Sequence, residues 1–339
     1  MPHLLVEVTR GDRVESCHYG YLAVADPQGR LLASVGEPET WVCLRSMAKP
    51  FQVVPLITTG VAEAFAFGDE ELALFSGSLN GQDFQVAIIQ RVLARLGLGP
   101  DHLQCGVHAP SHRPTAQAMA KAGEPATPLH NNCAGKHTAM LALCVHHGWP
   151  ISDYLDTQHP VQQLILQTVA QVTEVPVEQI TVAIDGCGAP VFYVPLRRIA
   201  QAYAKLAGAA RGRLAPGPLT AALTKVGRAC LAHPRLIAGD GRLCTDIMQA
   251  LPHKVFAKTG AEGGYALALV DQGWGVAIKV ADGHARGLNP TVIETLAQLQ
   301  VLTPEAEAAL ASYHHPAIKN HRKQTVGQVR PVFRLAETA

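Results

Sequence analysis

Apolar segments bounded by turn residues near both ends of the chain predict β-strands there. The first 36 residues show the pattern of three strands. Two of them, Gly20–Ala25 and Arg30–Gly36, flank Asp26-Pro27-Gln28-Gly29, which has proline and glycine where a type I turn favours them. Further strands are predicted at Ile180–Ile184, Val191–Val194, Lys254–Lys258, Gly264–Asp271, Trp274–Val280 and Val329–Leu335.

From about Arg45 the pattern of apolar residues becomes helical. The clearest helix is Asp83–Leu96, where apolar side chains recur every four residues at Phe84, Ile88, Val92 and Leu96. Other helices are predicted at Cys133–His147, Pro160–Val172, Leu196–Leu206, Pro218–Ala232, Thr245–Leu251 and Thr291–Leu302. The segment Cys105–Leu129 shows no clear period, and its length suggests a functional loop.

β-structure at the two ends therefore encloses a helical middle, and the tight hairpins favour antiparallel pairing. We predict an α/β (α+β) fold with one mainly antiparallel sheet, built from about 1–36 and 254–339. A helical lobe of about 45–250 is inserted between these parts, and residues 1–339 form a single unit.

Composition narrows the class of protein. Of 339 residues, 48% are hydrophobic and only 16% charged, and the net charge is +1, which argues against a nucleic-acid binder and against a disordered chain. The longest apolar stretch, Ala139–Val145, is far too short to span a membrane. The N-terminus has no secretory signal pattern, and eight scattered cysteines suggest reduced thiols. We expect a cytoplasmic enzyme or small-molecule binder.

Three short motifs contain the residue types of a serine hydrolase. In chain order they are Ser46-Met47-Ala48-Lys49, Ser78-Leu79-Asn80 and Lys258-Thr259-Gly260. Each is weak alone, because a surface serine near a surface lysine is common. Together they follow the order S-x-x-K, S-x-N and K-T-G of penicillin-recognising serine enzymes.

The spacing of Ser46 and Lys49 fits nucleophile and base, because residues i and i+3 share one face of a helix. Serine needs a base to become nucleophilic, and lysine can be that base only when burial or a second cation lowers its pKa. Lys258 is the candidate second cation, and Ser78 would pass a proton to the leaving group. The start of the helix at Ser46 also offers backbone N–H groups to an oxyanion.

A second group of reactive residues lies on a predicted helix start and at a strand end. Its members are Cys133, Lys136, His137, Asp185 and Cys187. Two thiols with nitrogen and oxygen donors can bind zinc, and the alternative is a pair of buried cysteines beside a glycine-rich turn. If Arg45, Asp185 and Lys136 gather near Ser46, they could instead bind a zwitterionic amino acid.

These residues lie in strings that resemble the asparaginase II family, the rhizobial-type or class 3 asparaginases. The strings follow in order over nearly the whole chain: Leu44–Gln52, Asn131–His137, Asp185–Pro190 and Lys258–Gly263. The resemblance implies a fold similar to serine β-lactamases and penicillin-binding proteins, a homodimer, and hydrolysis of L-asparagine to L-aspartate and ammonia.

The resemblance also implies roles for individual residues. The two Ser–Lys pairs of the family correspond to Ser46 with Lys49 and Ser78 with Lys258. A zinc ion that tunes substrate binding, and is not required for the chemical step, would be held by Cys133, Lys136 and Cys187. The expected substrate-binding residues are Arg45, Asp185, His137 and Asn80.

One string departs from the family pattern. Family members usually have Ser-His-x-Gly-Glu around the second serine, whereas this chain has Ser78-Leu79-Asn80-Gly81-Gln82. The serine is kept, but Leu79 and Gln82 replace a histidine and a carboxylate. The choice between L-asparagine, L-glutamine and another amide is therefore open.

Two other functions fit the same residues. One is a serine hydrolase of the same fold that acts on a β-lactam or a peptide, which the S-x-N and K-T-G motifs favour. The other is a non-catalytic protein that binds an amino acid or zinc and has lost turnover through the changes at Leu79 and Gln82.

Overall fold

Strands from the two ends of the chain form the main sheet of the protein. The structure is a computed structural model that describes residues 1–337, so the last two residues of the predicted 254–339 part lie outside it. The strands are β1 (His3–Arg10), β2 (Arg13–Ala25), β3 (Leu31–Val35), β4 (Trp41–Cys43), β5 (Thr181–Ile184), β6 (Pro190–Pro195), β7 (Val255–Thr259), β8 (Gly264–Leu269), β9 (Trp274–Val280), β10 (Ala317–Lys319), β11 (Thr325–Pro331) and β12 (Ala336–Glu337).

The main sheet pairs the first strands of the chain with the last ones. Its order is β10–β11–β1–β2–β9–β8–β7, with β3 also paired to β2 and β12 paired to β3. The central pair β2–β9 runs antiparallel from Gly20 opposite Val280 to Ala25 opposite Gly275. A smaller antiparallel sheet has the order β4–β6–β5.

Helices fill the middle of the chain, and two more lie between β9 and β10 of the main sheet. They are α1 (Lys49–Thr58), α2 (Val61–Ala64), α3 (Asp69–Ser76), α4 (Asp83–Arg95), α5 (Arg113–Ala122), α6 (Ala134–His147), α7 (Pro160–Thr173), α8 (Leu196–Ala210), α9 (Pro218–Ala232), α10 (Pro234–Ala238), α11 (Leu243–Ala250), α12 (Ala285–Gln298) and α13 (Pro304–His314). Within residues 1–337, no helix combines the length and the apolar character that crossing a bilayer requires.

Helix α8 fixes the sheet relative to the start of α1. It crosses β9 so closely that a Cβ on Gly275 would lie 1.9 Å from the carbonyl oxygen of Ala200. Tyr203 on α8 stacks on Phe256 of β7, with ring centroids 6.0 Å apart, and its hydroxyl donates to the carbonyl of Met47 at 2.9 Å. This packing holds together the two elements that carry Lys49 and Lys258.

The structure confirms the predicted mixed fold, with one mainly antiparallel sheet built from both chain ends. The prediction for Cys105–Leu129 is wrong in part, because α5 lies inside that segment. No residue of α5 is fully buried, and this helix lacks the large aliphatic and aromatic side chains that mark the core helices. Helices α2 and α10 have four and five residues, which is too short for an apolar period, and α3 and α13 were likewise not predicted.

Candidate active site

Ser46 lies at a sharp turn between β4 and α1. A 3₁₀ turn over Arg45–Ala48 leads directly into the helix. Arg45 has a φ of 44°, in the left-handed region that residues other than glycine seldom adopt. Backbone strain of this kind persists only where the surroundings fix it, and it is concentrated at functional sites. Here Arg45 is fixed by Asp185, whose Oδ1 accepts a hydrogen bond from Nε at 2.7 Å.

Ser78 lies in the loop between α3 and α4, and the side chain of Gln85 holds this loop. Gln85 is fully buried. Its Oε1 accepts hydrogen bonds from three successive backbone amides, those of Asn80, Gly81 and Gln82. The backbone amide of Ser78 itself donates to the carbonyl of Ile237 at 2.7 Å. The Ser78 hydroxyl therefore has a fixed position in the interior.

Both lysines of the sequence motifs donate hydrogen bonds to the hydroxyl of Ser78. Nζ of Lys258 lies 2.7 Å from Oγ, and Nζ of Lys49 lies 3.2 Å from it. Lys49 also donates to the carbonyl of Asn132 at 2.8 Å. Neither lysine has exposed surface. Within residues 1–337, the hydroxyl of Ser46 makes no hydrogen bond, so Lys49 contacts Ser78 and not the serine three positions before it.

Burial lowers the pKa of both lysines. For Lys49, burial is the largest cause, the thiolate of Cys133 opposes it, and the charge of Lys136 adds to it. For Lys258, burial and the neighbouring Lys49 lower the pKa well below the ordinary value of 10.5. A lysine with a strongly lowered pKa can be neutral under physiological conditions and can then act as a base.

A cavity of about 210 Å³ opens beside Ser46. It is lined by Arg45, Ser46, His108, Asn131, Asn132, Cys133, Asp185, Gly186, Cys187 and Ala261. In the described part of the chain, the backbone amide of Ala261 donates to no carbonyl. The cavity therefore offers a hydroxyl and an unused N–H group close to charged side chains.

Asp185 lies between two cations in the wall of this cavity. Besides its bond to Arg45, its Oδ2 accepts from Nζ of Lys136 at 3.3 Å, and the amide of Gly186 donates to Oδ1 at 2.9 Å. Burial alone would raise the pKa of Asp185, but Lys136 and Arg45 lower it to about 2. Asp185 is thus ionised at neutral pH. The two terminal guanidinium nitrogens of Arg45 make no hydrogen bond to any described residue.

Cys133, Cys187 and Asp185 come close enough to share a metal ion. Their sulfur atoms and a carboxylate oxygen all lie within 4.8 Å of one another. A hydrogen bond from Cys187 lowers the pKa of Cys133 well below 9.0, against the effect of burial. Thiolates and a carboxylate are ordinary zinc ligands, so these residues fit the ion. Burial would lower the pKa of Lys136, but the surrounding negative groups raise it, so zinc would have to displace a proton from this amine.

His137 and Asn80 are not among the residues that line the cavity. His137 is fully buried, its Nδ1 hydrogen-bonds the hydroxyl of Tyr154 at 2.7 Å, and burial lowers its pKa well below 6.5. Asn80 donates to the carbonyl of Asp240 at 3.3 Å. Its side chain packs on Gly239, where a Cβ would lie 2.2 Å from it. Contact of His137 or Asn80 with substrate stays a prediction.

The two residues that depart from the family pattern, Leu79 and Gln82, have structural partners. Leu79 is buried in the core. Gln82 accepts a hydrogen bond from the amide of Asp240 at 2.8 Å and donates to its carboxylate at 3.0 Å. Arg235 binds the same carboxylate through two nitrogens at 2.6 and 2.7 Å. Gln82 therefore ties the Ser78 loop to the segment before α11.

His108 and Asn132 line the cavity, although no motif in the sequence marks either of them as a site residue. His108 belongs to the segment Cys105–Leu129, whose length indicates a functional loop. Asn132 lies next to Cys133 but contributes its backbone. For His108, the sequence indicated a role only by placing a histidine in a long loop. For Asn132 it gave no indication, because a contact made by the backbone does not depend on the residue type.

Comparisons with known proteins show which family the chain belongs to. No curated protein matches the chain. Among solved structures, the chain is similar to a β-lactamase from Mycobacterium bovis, with 14% sequence identity and a TM-score of 0.40 over 87% of this chain and 95% of that one. The L-asparaginase II family matches residues 6–331, a range that contains every residue of the cavity and both buried lysines. With nearly its whole length matched, the chain belongs to the L-asparaginase II family.

Proposed function

We propose that this protein is an amidohydrolase that converts L-asparagine to L-aspartate and ammonia through an acyl-enzyme on Ser46. The observation that carries the proposal is the convergence of Lys49 and Lys258 on Oγ of Ser78, at 3.2 and 2.7 Å, beside the cavity that Ser46 lines. Burying two amines costs free energy, so a functional role explains their burial better than a structural role does. Membership of the L-asparaginase II family supports the substrate.

Lys49 is the proposed base for Ser46. A neutral amine has two N–H bonds and one lone pair. The carbonyl of Asn132 and the hydroxyl of Ser78 accept the two N–H bonds, so the lone pair is free. It takes the Ser46 proton as the serine oxygen attacks the side-chain amide carbon. The contact between Ser46 and Lys49 forms when substrate binds, as catalytic hydrogen bonds commonly do.

Ser78 is the proposed proton donor to the leaving nitrogen. Its oxygen accepts from both lysines, so its own proton is free to be donated. When the C–N bond breaks, this proton goes to the nitrogen, ammonia leaves, and Lys49 returns to Ser78 the proton it took from Ser46. Water then attacks the ester, Lys49 carries the water proton to Ser46, and aspartate is released.

The cavity supplies the proposed binding contacts. The backbone amides of Ser46 and Ala261 would stabilise the oxyanion. The free guanidinium nitrogens of Arg45 would pair with the α-carboxylate of the substrate, and Asp185 with its ammonium group. A volume of about 210 Å³ is below the 300–1,000 Å³ typical of pockets for drug-sized ligands, which favours a free amino acid over a peptide.

From the family resemblance we also propose that Cys133, Lys136 and Cys187 hold zinc and that the protein is a homodimer. When bound, zinc would supply positive charge beside Asp185 and so tune substrate binding. The cysteine usage leads us to propose a cytoplasmic location.

Replacing Ser46 by alanine tests the proposed nucleophile. Because no other described group would take its place in the acyl-enzyme, ammonia release from L-asparagine should fall by at least about a thousandfold. The matched control is Ser312→Ala, which changes an exposed serine on α13 and should leave the rate unchanged. Activity retained by Ser46→Ala would refute the acyl-enzyme.

The alternatives give different results in the same set of assays. Ammonia from L-asparagine but not from L-glutamine supports the proposed substrate. Covalent labelling by a fluorescent penicillin, with no ammonia from either amide, supports a β-lactam-recognising hydrolase. Thermal stabilisation by L-asparagine without ammonia release supports a non-catalytic binding protein.

A further inference from the structure

We propose that His108 is a positioning residue that holds the backbone of Asn132 and thereby keeps Lys49 oriented as the base for Ser46. The inference rests on the proposed function, because it assigns a role within the same site. It adds a residue that neither the motifs nor the family strings contain. It is carried by a continuous chain of hydrogen bonds from the cavity wall to the buried lysine.

The partners of His108 determine which of its ring nitrogens carries the proton. Nε2 lies 2.9 Å from the backbone nitrogen of Asn132, which can only donate, so Nε2 is the acceptor. Nδ1 lies 2.8 Å from the carbonyl oxygen of Ala109, which can only accept, so Nδ1 carries the proton. The ring is thus bound at both nitrogens, and its orientation is fixed although the side chain is exposed.

Asn132 transmits this orientation to Lys49. Its carbonyl oxygen accepts from Nζ of Lys49 at 2.8 Å and from the amide of Leu79 at 3.1 Å. The amide and the carbonyl of Asn132 belong to two rigid peptide planes that meet at its Cα. His108 holds the first plane through the amide, so that only rotation at Cα could then turn the carbonyl away from Lys49.

The neighbouring Asn131 holds the second of these planes, through the amide of Cys133, and leaves the first to His108. Its side-chain nitrogen donates to the carbonyls of Cys105 and Gly106 at 2.9 and 3.1 Å, and its Oδ1 accepts from the amide of Cys133 at 2.8 Å. These bonds join the two segments but do not reach the amide of Asn132. In the described chain, His108 is the acceptor for that amide.

Loss of this contact would affect the base directly. If the Asn132 carbonyl rotates, one N–H of neutral Lys49 loses its acceptor and the lone pair is no longer directed at Ser46. A misplacement of about 1 Å in a reacting group can cost about a hundredfold in rate. The expected defect is therefore in kcat, with KM little changed, because Arg45 and Asp185 still bind the substrate.

The first test compares His108→Ala with His108→Gln by steady-state kinetics on L-asparagine. His108→Ala should lower kcat about tenfold to a hundredfold with less than about a threefold change in KM. His108→Gln should recover much of this loss, because its Oε1 can accept the Asn132 amide. The control is His112→Ala, in the same segment. Among the described residues, the ring of His112 hydrogen-bonds Thr115, and its removal should leave kcat and KM unchanged. Equal kcat in His108→Ala and the unchanged protein, or no rescue by glutamine, overturns the proposal.

The second test does not depend on the amide substrate. A fluorophosphonate that reacts with activated serines is followed by mass spectrometry at Ser46, with Ser46→Ala as the blank. Slower labelling of His108→Ala, by the same factor as kcat, supports the proposal even if L-asparagine proves to be the wrong substrate. Equal labelling rates overturn it, as does no labelling of the unchanged protein. Loss of bound zinc in His108→Ala, measured by atomic emission, also overturns it, because His108 would then act through the metal.

Discussion

At the scale of single residues, the site stands out because two lysines are buried without a carboxylate on either amine. Among the described residues, Nζ of Lys49 and of Lys258 donates hydrogen bonds only to neutral oxygens, those of Ser78, Asn132 and Thr259. A charged ammonium is expensive to bury, whereas a neutral amine is satisfied by such partners. The surroundings of these two residues therefore favour the unprotonated form that a general base needs.

The variant Lys49→Arg separates charge from basicity at this position. Arginine keeps the positive charge but does not release its proton, so kcat should fall at least about a hundredfold. In the unchanged protein, activity should rise with pH as Lys49 loses its proton, below the ordinary lysine pKa of 10.5, because burial lowers its pKa. Lys49→Arg should stay inactive at every pH, as measured by ammonia release.

The control for this experiment is Lys323→Arg, which changes an exposed lysine in a turn and should leave kcat and its pH dependence unchanged. Recovery of Lys49→Arg at high pH would contradict the assignment of Lys49 as the base.

At the scale of elements, the loop between α3 and α4 is held from two sides. The buried side chain of Gln85 accepts hydrogen bonds from the backbone of this loop. The side chain of Gln82 connects the loop to Asp240 in the segment before α11. A hydrogen bond from Arg235 lowers the pKa of Asp240 to about 2, with Gln82 contributing, so Asp240 is charged at neutral pH. An amide at position 82 can both donate to this carboxylate and accept from its backbone, which a carboxylate cannot do.

The variant Gln82→Glu restores the residue type of the family pattern and should destabilise this chain. Two carboxylates would then face each other, and the unfolding free energy should fall by about 1–3 kcal/mol, measured by urea denaturation. Adding Asp240→Asn should recover most of this loss, because the new amide can donate to Glu. Losses that simply add in the double variant would show that the two positions act independently.

At the scale of the whole molecule, the sheet was predictable and the contacts of the site were not. The strands β2 and β9 could be predicted because each contains a run of apolar residues, which is almost continuously buried where the two strands pair. That Lys49 contacts Ser78, and not Ser46, depends on how α1 packs against the α3–α4 loop, which no local spacing records. The hydrogen bond between His137 and Tyr154 in the interior is likewise not indicated by the string that contains His137. Burial of a histidine next to a polar motif is decided by tertiary packing.

The buried His137 should make the stability of the molecule sensitive to acid. Because burial lowers its pKa in the folded state, below pH 6.5 the unfolded chain binds a proton that the folded chain does not. The unfolding free energy should therefore fall by about 1 kcal/mol between pH 7.5 and pH 5.5, measured by urea titration. His137→Gln, which can still bond Tyr154, should remove this fall, whereas the exposed His321→Gln should not. An unchanged pH dependence in His137→Gln would show that another group causes the fall.

The pairing of β2 with β9 has a consequence for biosynthesis. A ribosome makes β2 first and then has to add the whole helical middle before β9, which begins at Trp274. At about 5–20 residues per second, the wait lasts roughly ten to fifty seconds. During that time an apolar strand edge has no partner and can pair with other nascent chains. We therefore expect a requirement for chaperones during translation that ends once Val280 has left the exit tunnel.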